Sequence, residues 1–240
     1  MCNLKETVNI AIFAYNFPHR KTADFIDQIY TCGFKISVIL AADFIDIKSP
    51  KSFFSFKSQY PKISPKYIAQ KHKIPYYVVE HNGKKTISLL KKHNINLGVI
   101  SGARIIHKSI IQSIKLGVLN FHPGLLPKIR GLDSVLWSIY NDYPLGVTAH
   151  LINDQIDAGY LVYKKQLKII PEDDIYSLYE KIYQLQLHLI PISLNLILEK
   201  KIFKILKLGR YNSKMSYKNQ SQLSNKIIMY IQKYASDKYE

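Results

Sequence analysis

Short apolar runs alternate with amphipathic segments from residue 8 to residue 121, and no other feature of the chain limits its fold so tightly. Residues 8–14 (Val-Asn-Ile-Ala-Ile-Phe-Ala) and 35–42, with Ile36, Val38, Ile39 and Leu40, have the length and apolarity of buried strands. Between them the spacing predicts a polar loop over 15–22 and a helix over 23–30, where Phe25, Ile26, Ile29 and Tyr30 recur at helical intervals. Residues 46–63, rich in Ser, Lys, Pro and aromatics, are expected to form an irregular insert. The alternation then resumes with helix 64–72, strand 76–80, helix 85–92, strand 97–101, helix 110–115 and strand 118–121. Strands joined through helices pair in parallel with right-handed crossovers. The expected fold class is therefore α/β, an open, mostly parallel Rossmann-type sheet flanked by helices, with ligands bound beyond the carboxyl ends of the strands.

Beyond residue 132 the pattern changes. A helix is expected over 133–140, strands over 145–152 and 160–167 as an antiparallel extension, and a long helix over 175–199 that Pro191 can kink. Ile175, Leu178, Tyr179, Ile182, Leu185, Leu189, Ile192 and Leu196 share one face of that helix, which reads as core packing. A basic segment, a turn at 209–212, a polar stretch and a last helix near 225–234 follow. We divide the chain into a catalytic domain, 1–200, and a short C-terminal extension, 201–240, suited to dimerisation.

A length of 240 residues suits one catalytic domain with an appendage. The formal charge of +17 raises nucleic acid as a partner, yet only Arg20, Arg104, Arg130 and Arg210 among 34 basic residues carry the fork that reads bases and phosphates, and the lysines are scattered. The charge reads instead as solubility and attraction for an anionic small substrate. Cys2 and Cys32 alone make neither a disulfide framework nor a metal site. The N-terminus lacks a basic segment ahead of its apolar run, and the apolar stretch 185–198 is broken by His188, Pro191 and Asn195. The expectation is a soluble cytoplasmic protein with no metal, nucleic-acid or membrane partner.

Two segments concentrate chemically capable side chains. In Gly117-Val118-Leu119-Asn120-Phe121-His122-Pro123-Gly124-Leu125-Leu126-Pro127, Asn120 and His122 stand two apart at a predicted strand end, so both project to one side and can reach one ligand atom. Pro123 and Gly124 end that strand, and Pro127 and Gly131 keep the next loop tight. In residues 145–159, Thr148 and His150 share a strand face, and Asp154 and Asp157 follow in the turn before Gly159. A carboxylate leaving a strand near a histidine is a candidate acid-base pair.

Asn120-Phe121-His122-Pro123-Gly124-Leu125-Leu126-Pro127 with Gly131, then Gly146-Val147-Thr148-Ala149-His150 and Asp157-Ala158-Gly159, resemble the signature of the 10-formyltetrahydrofolate-dependent formyltransferases. The resemblance is close over 97–163 and holds in outline over the rest of 8–199. It implies the Rossmann-type formyltransferase fold, 10-formyltetrahydrofolate as co-substrate, and catalysis by Asn120, His122 and Asp157. By the same resemblance, Asn120 donates to the formyl oxygen, His122 assists there and serves in proton transfer, and Asp157 positions His122 and helps deprotonate the amine through water. It further implies a folate pocket bordered by Arg104, Ile105 and Ile106 on one side and by His150 and Asp154 on the other.

Members of the family differ in acceptor. The loop Ala14-Tyr15-Asn16-Phe17-Pro18-His19-Arg20 lacks the glycines of the glycinamide ribonucleotide enzymes, and about forty residues after the long helix fall short of the basic barrel of the tRNA enzymes. The chain is most similar to sugar N-formyltransferases of surface-polysaccharide (O-antigen) synthesis, and closest to those acting on dTDP-4-amino-4,6-dideoxyglucose. Methionyl-tRNA or another amine is the alternative acceptor. Tyr15, Asn16, His19, Lys84, Pro123, Gly124 and Tyr211 are the candidates for the sugar-nucleotide site, and a homodimer is the expected assembly.

Overall fold

The computed structural model of the chain describes residues 4–45, 51–55, 61–199 and 202–235. The first apolar run forms β1 (Ile10–Tyr15), which pairs in parallel with β2 (Ile36–Ala42) on one side and β4 (Leu97–Ile100) on the other. Residues 10–14 are without exposure. Helices cover both faces, which is why this run shows no alternation. Ile10, Ile12 and Ala14 pack with Phe25, Ile26 and Ile29 of α1 (Arg20–Thr31) and with Leu189 and Ile190 of α6 (Ile175–Glu199). Ala11 and Phe13 pack on the other face with Leu89 and Leu90 of α3 (Lys84–Lys92) and Ile110 of α4 (Lys108–Gln112).

With β3 (Tyr76–Val78), β5 (Val118–His122), β7 (Gly146–Leu151), β8 (Tyr160–Gln166) and β9 (Lys204–Ile205), the main sheet has the order β3-β2-β1-β4-β5-β7-β8-β9. The pairs from β3 to β5 are parallel, and β7, β8 and β9 are added antiparallel. The expected open, mostly parallel sheet with an antiparallel extension is the observed one. The order reverses between β1 and β4, so the crevice beyond their carboxyl ends is the natural ligand site.

Several local expectations need correction. α1 begins at Arg20 rather than at residue 23, because Thr22 is fully buried and its hydroxyl meets His19 Nε2 at 2.6 Å and Ser101 Oγ at 2.8 Å. That polar docking leaves no apolar period to read. α4 spans Lys108–Gln112 rather than 110–115, with Ile110 as its buried residue. α6 keeps its expected bounds and runs unbroken through Pro191. Of the insert expected over 46–63, residues 46–50 and 56–60 lie outside the described residues, as does Cys2, and the remainder carries no helix or strand.

The stretch expected as a turn at 209–212 instead holds β10 (Tyr211–Asn212), which pairs in parallel with β6 (Arg130–Gly131). The polar stretch after it contains α7 (Tyr217–Ser221), capped by Ser216 Oγ accepting from the Asn219 N–H at 3.2 Å, before α8 (Leu223–Tyr234). The β6–β10 contact depends on glycine. Gly131 has φ +103°, and a Cβ there would lie 2.1 Å from the Asn212 carbonyl oxygen. We expect Gly131→Ala to destabilise the fold by roughly 2 kcal/mol or more in urea unfolding. A loss under about 0.5 kcal/mol, the scatter of surface substitutions, would show that the β6–β10 pairing carries no weight.

Candidate active site

β5 presents Asn120 and His122 at its carboxyl end, and the antiparallel register with β7 sets His150 opposite Asn120 and Thr148 opposite His122. His150 is completely buried. Burial first, and then the charge of His122, push its pKa down to about 4, so its ring is neutral near pH 7. Nδ1 of His150 donates to the Ala158 carbonyl at 2.8 Å, which leaves Nε2 as an acceptor. Asn120 Nδ2, 3.2 Å away, donates to it. The tautomer of His150 thereby sets which way the Asn120 amide faces. Nδ2 carries two protons, and the second remains for the cavity that Asn120 lines.

His122 is held at both ring nitrogens. Nε2 lies 2.9 Å from the Ile129 carbonyl oxygen and 3.2 Å from Ser134 Oγ, and Nδ1 lies 3.4 Å from Asp157 Oδ1. Gly124 lets the following loop close behind this ring, since a Cβ there would lie 3.0 Å from His122 Nε2 and 2.8 Å from Ile129 Cγ2. The Thr148 hydroxyl fixes that loop, donating to the Gly124 carbonyl at 2.7 Å and accepting from the Leu126 N–H at 3.0 Å.

Asp157 occupies the left-handed region with φ +47°, a conformation that costs a side-chain-bearing residue roughly 1–2 kcal/mol. Arg130 braces it: Nε donates to the neighbouring Ile156 carbonyl at 2.5 Å and Nη1 to the Gly209 carbonyl at 3.1 Å. Asp157 Oδ2 accepts the Gly131 N–H at 3.0 Å. Burial by itself would raise the Asp157 carboxyl. The hydrogen bond and charge of His122, with His150 and the Gly131 N–H, outweigh it and hold the group below its usual 3.8.

A cavity of about 1030 Å³ opens beyond the ends of β1, β4 and β5, with Asn120, His122 and Asp157 in its wall. Of the residues expected to border folate, Arg104, Ile105, Ile106 and Asp154 line it. His150 does not; it stands behind Asn120, with both ring nitrogens engaged. Of the residues expected to meet the acceptor, Tyr15, His19, Pro123 and Tyr211 line the cavity. Asn16, Lys84 and Gly124 do not. Asn16 donates to Asp43 Oδ1 at 2.7 Å and accepts from the Tyr76 hydroxyl at 2.6 Å, joining the ends of β1, β2 and β3, while Lys84 opens α3 and Gly124 backs His122.

α1 and α6 add a wall that sequence reasoning had not assigned to the site: Lys21, Tyr179, Ile182, Tyr183 and Gln186. Tyr183 and Gln186 follow Tyr179 and Ile182 by four residues, so they extend the same side of α6. A glutamine 5% exposed on so apolar a helix was the available signal. Its Nε2 donates to the Phe121 carbonyl at 2.6 Å, tying α6 to the strand end between Asn120 and His122. Lys21 left no signal. Among the described residues no cluster of three or more His, Cys, Asp or Glu is placed to hold a metal, and no helix is long and apolar enough to cross a membrane.

The pattern of the formyl transferase family matches residues 45–194, a stretch that contains Asn120, His122 and Asp157. The bifunctional polymyxin resistance protein ArnA of Wigglesworthia glossinidia brevipalpis is 32% identical over 203 residues, which are 82% of this chain and 29% of that protein. The chain spans less than a third of the length of the curated relatives it matches first. Among solved structures, phosphoribosylglycinamide formyltransferase of Bacillus halodurans superposes with a TM-score of 0.62 at 22% identity, covering 81% of this chain and 97% of that one. A sugar N-formyltransferase of a Shewanella species gives 0.60 at 20%, covering 86% and 77%. These structural likenesses establish the fold, and the family match over more than half of the sequence establishes the lineage: the chain belongs to the formyl transferase family.

Proposed function

We propose that this chain transfers a formyl group from 10-formyltetrahydrofolate to the amino group of a nucleotide-linked 4-amino-4,6-dideoxy sugar, with dTDP-4-amino-4,6-dideoxyglucose as the preferred acceptor. The observation that carries the reading is the convergence of Asn120, His122 and Asp157 on one wall of a cavity large enough for two ligands. The folate co-substrate supplies a formyl carbon whose oxygen gains negative charge as an amine attacks. The free N–H of Asn120 meets that charge, and one such fixed donor contributes on the order of 3 kcal/mol; the His122 ring, engaged at both nitrogens, stands beside it in the cavity wall. Asp157, kept anionic beside His122, holds the ring and relays the amine proton through water; as the formyl C–N10 bond breaks, that proton passes to N10 and tetrahydrofolate leaves.

The sides of the cavity suit two different ligands. Ile105, Ile106 and Asp154 flank the folate half. The other half is walled by aromatic groups, with Tyr15 stacked on Phe17 at 5.1 Å and Tyr183 of α6 also in the lining, which fits a sugar and a base. The loop that leaves β1 here contains no glycine, which argues against an acceptor phosphate cradled by a glycine-rich backbone and favours the sugar-nucleotide reading.

The test is turnover of 10-formyltetrahydrofolate with dTDP-4-amino-4,6-dideoxyglucose. We expect formylated sugar from the wild type and losses in kcat of about 10²-fold or more for Asn120→Ala, His122→Ala and Asp157→Asn. Variants as fast as the wild type would remove these residues from the mechanism. Folate binding without sugar product would redirect the acceptor to UDP-linked amino sugars and then to methionyl-tRNA.

A second expectation concerns His150, whose neutrality sets the Asn120 amide. Its pKa is lowered on folding, so the unfolded chain binds the additional proton and stability present above about pH 6.5 is lost as pH falls toward about 4. Between pH 7 and pH 5 urea unfolding of His150→Gln should lose about 2 kcal/mol less stability than the wild type. Equal pH dependence of the two proteins would mean that His150 is not held neutral.

A further inference from the structure

Most polar groups on the acceptor side of the cavity are already engaged. His19 Nδ1 donates to the Phe17 carbonyl at 2.7 Å, and its Nε2 accepts from the Thr22 hydroxyl. The Tyr183 hydroxyl donates to Asp24 Oδ2 at 2.7 Å, and Gln186 Nε2 donates to the Phe121 carbonyl. Arg20, beside Lys21 in the first turn of α1, is spent on Glu180 in a two-pronged pair and on Asp24.

Lys21 is the exception. Its ammonium lies 5.0 Å from the ring centroid of Phe25, and among the described residues it makes no ion pair or hydrogen bond. Phe25 packs edge-on against Phe121, so this ammonium stands over the ring that supports the strand end between Asn120 and His122. It is set deep enough for burial to lower its pKa to about 8, yet its side chain forms part of the cavity wall. A cation in such a place, with three donors and no carboxylate to neutralise it, is costly unless an anion from outside completes it.

We propose that Lys21 is the anion-binding residue of the acceptor half, holding a phosphate oxygen of a nucleoside diphosphate while the attached amino sugar reaches Asn120 and His122. This assignment rests on the sugar-nucleotide reading for the identity of the ligand, and on the cavity geometry for the anion. The nearby loop 15–19 contains no glycine, so a side-chain cation takes on a task that a glycine-rich backbone performs elsewhere. Lys21 thereby sets the affinity for acceptor and not for folate.

The test is calorimetric binding of dTDP and of inorganic pyrophosphate to the wild type, Lys21→Gln and Lys21→Arg in phosphate-free buffer. We expect Lys21→Gln to bind both probes at least about 10-fold more weakly, Lys21→Arg to recover part of the affinity, and folate binding to stay unchanged. Removing an unpaired deep cation should leave the urea midpoint equal or higher, whereas a structural lysine would lower it. If dTDP binds Lys21→Gln as tightly as the wild type, the assignment fails and the nucleotide reading survives. If pyrophosphate binds through Lys21 but no nucleotide-linked amino sugar is formylated, the anion site stands and the acceptor reading fails. If neither probe binds the wild type, the site is refuted.

Discussion

The wall of the candidate site depends on how the Asp157 carboxylate is held. One oxygen takes the Gly131 N–H and the other faces His122 Nδ1, while the backbone beneath it is kept left-handed with its neighbour's carbonyl bound by Arg130. Arg130 in turn reaches the Gly209 carbonyl, and Asn212 Nδ2 donates to the Arg130 carbonyl at 3.0 Å. The three segments around residues 130, 157 and 210 therefore share one hydrogen-bonded joint. The C-terminal residues 209–212 are part of the site's frame, although they are far from it in sequence. Strain at Asp157 persists because the surrounding contacts over-determine it.

A second constraint comes from β7. His150, buried and neutral, works as a fixed acceptor that dictates the orientation of the Asn120 amide. The same strand supplies Thr148, which locks the loop behind His122. One antiparallel pairing, β5 with β7, thus sets both the Asn120 amide and the loop behind His122. Burial does the rest, since a low-dielectric setting makes each of these hydrogen bonds count for more than it would in water.

The sequence disclosed the parts of this arrangement that follow from local periodicity. The uninterrupted apolar run at 10–14 required a strand covered on both faces, and the two-residue spacing of Asn120 and His122 required a shared side. What stayed hidden depends on distant partners. Asn16 and Lys84 have the polarity of ligand-binding residues, but Asn16 is consumed by Asp43 and Tyr76, and Lys84 lies on α3 away from the cavity wall. His150 shares a strand face with Thr148 as expected, yet only the register with β5 turns it toward Asn120 instead of the ligand. The β6–β10 pair has two residues per strand, too short for any period to announce it. Lys21 is one lysine among many in a basic chain, and its isolation from carboxylates exists only in three dimensions.

The measurement that bears most directly on this account is a double-mutant cycle between His122 and Asp157 on kcat/KM for formyl transfer. If the two side chains act as one unit, the double variant His122→Ala with Asp157→Asn will be no slower than the slower single variant. If the two losses multiply, the residues act independently, and the coupling read from their 3.4 Å contact is contradicted.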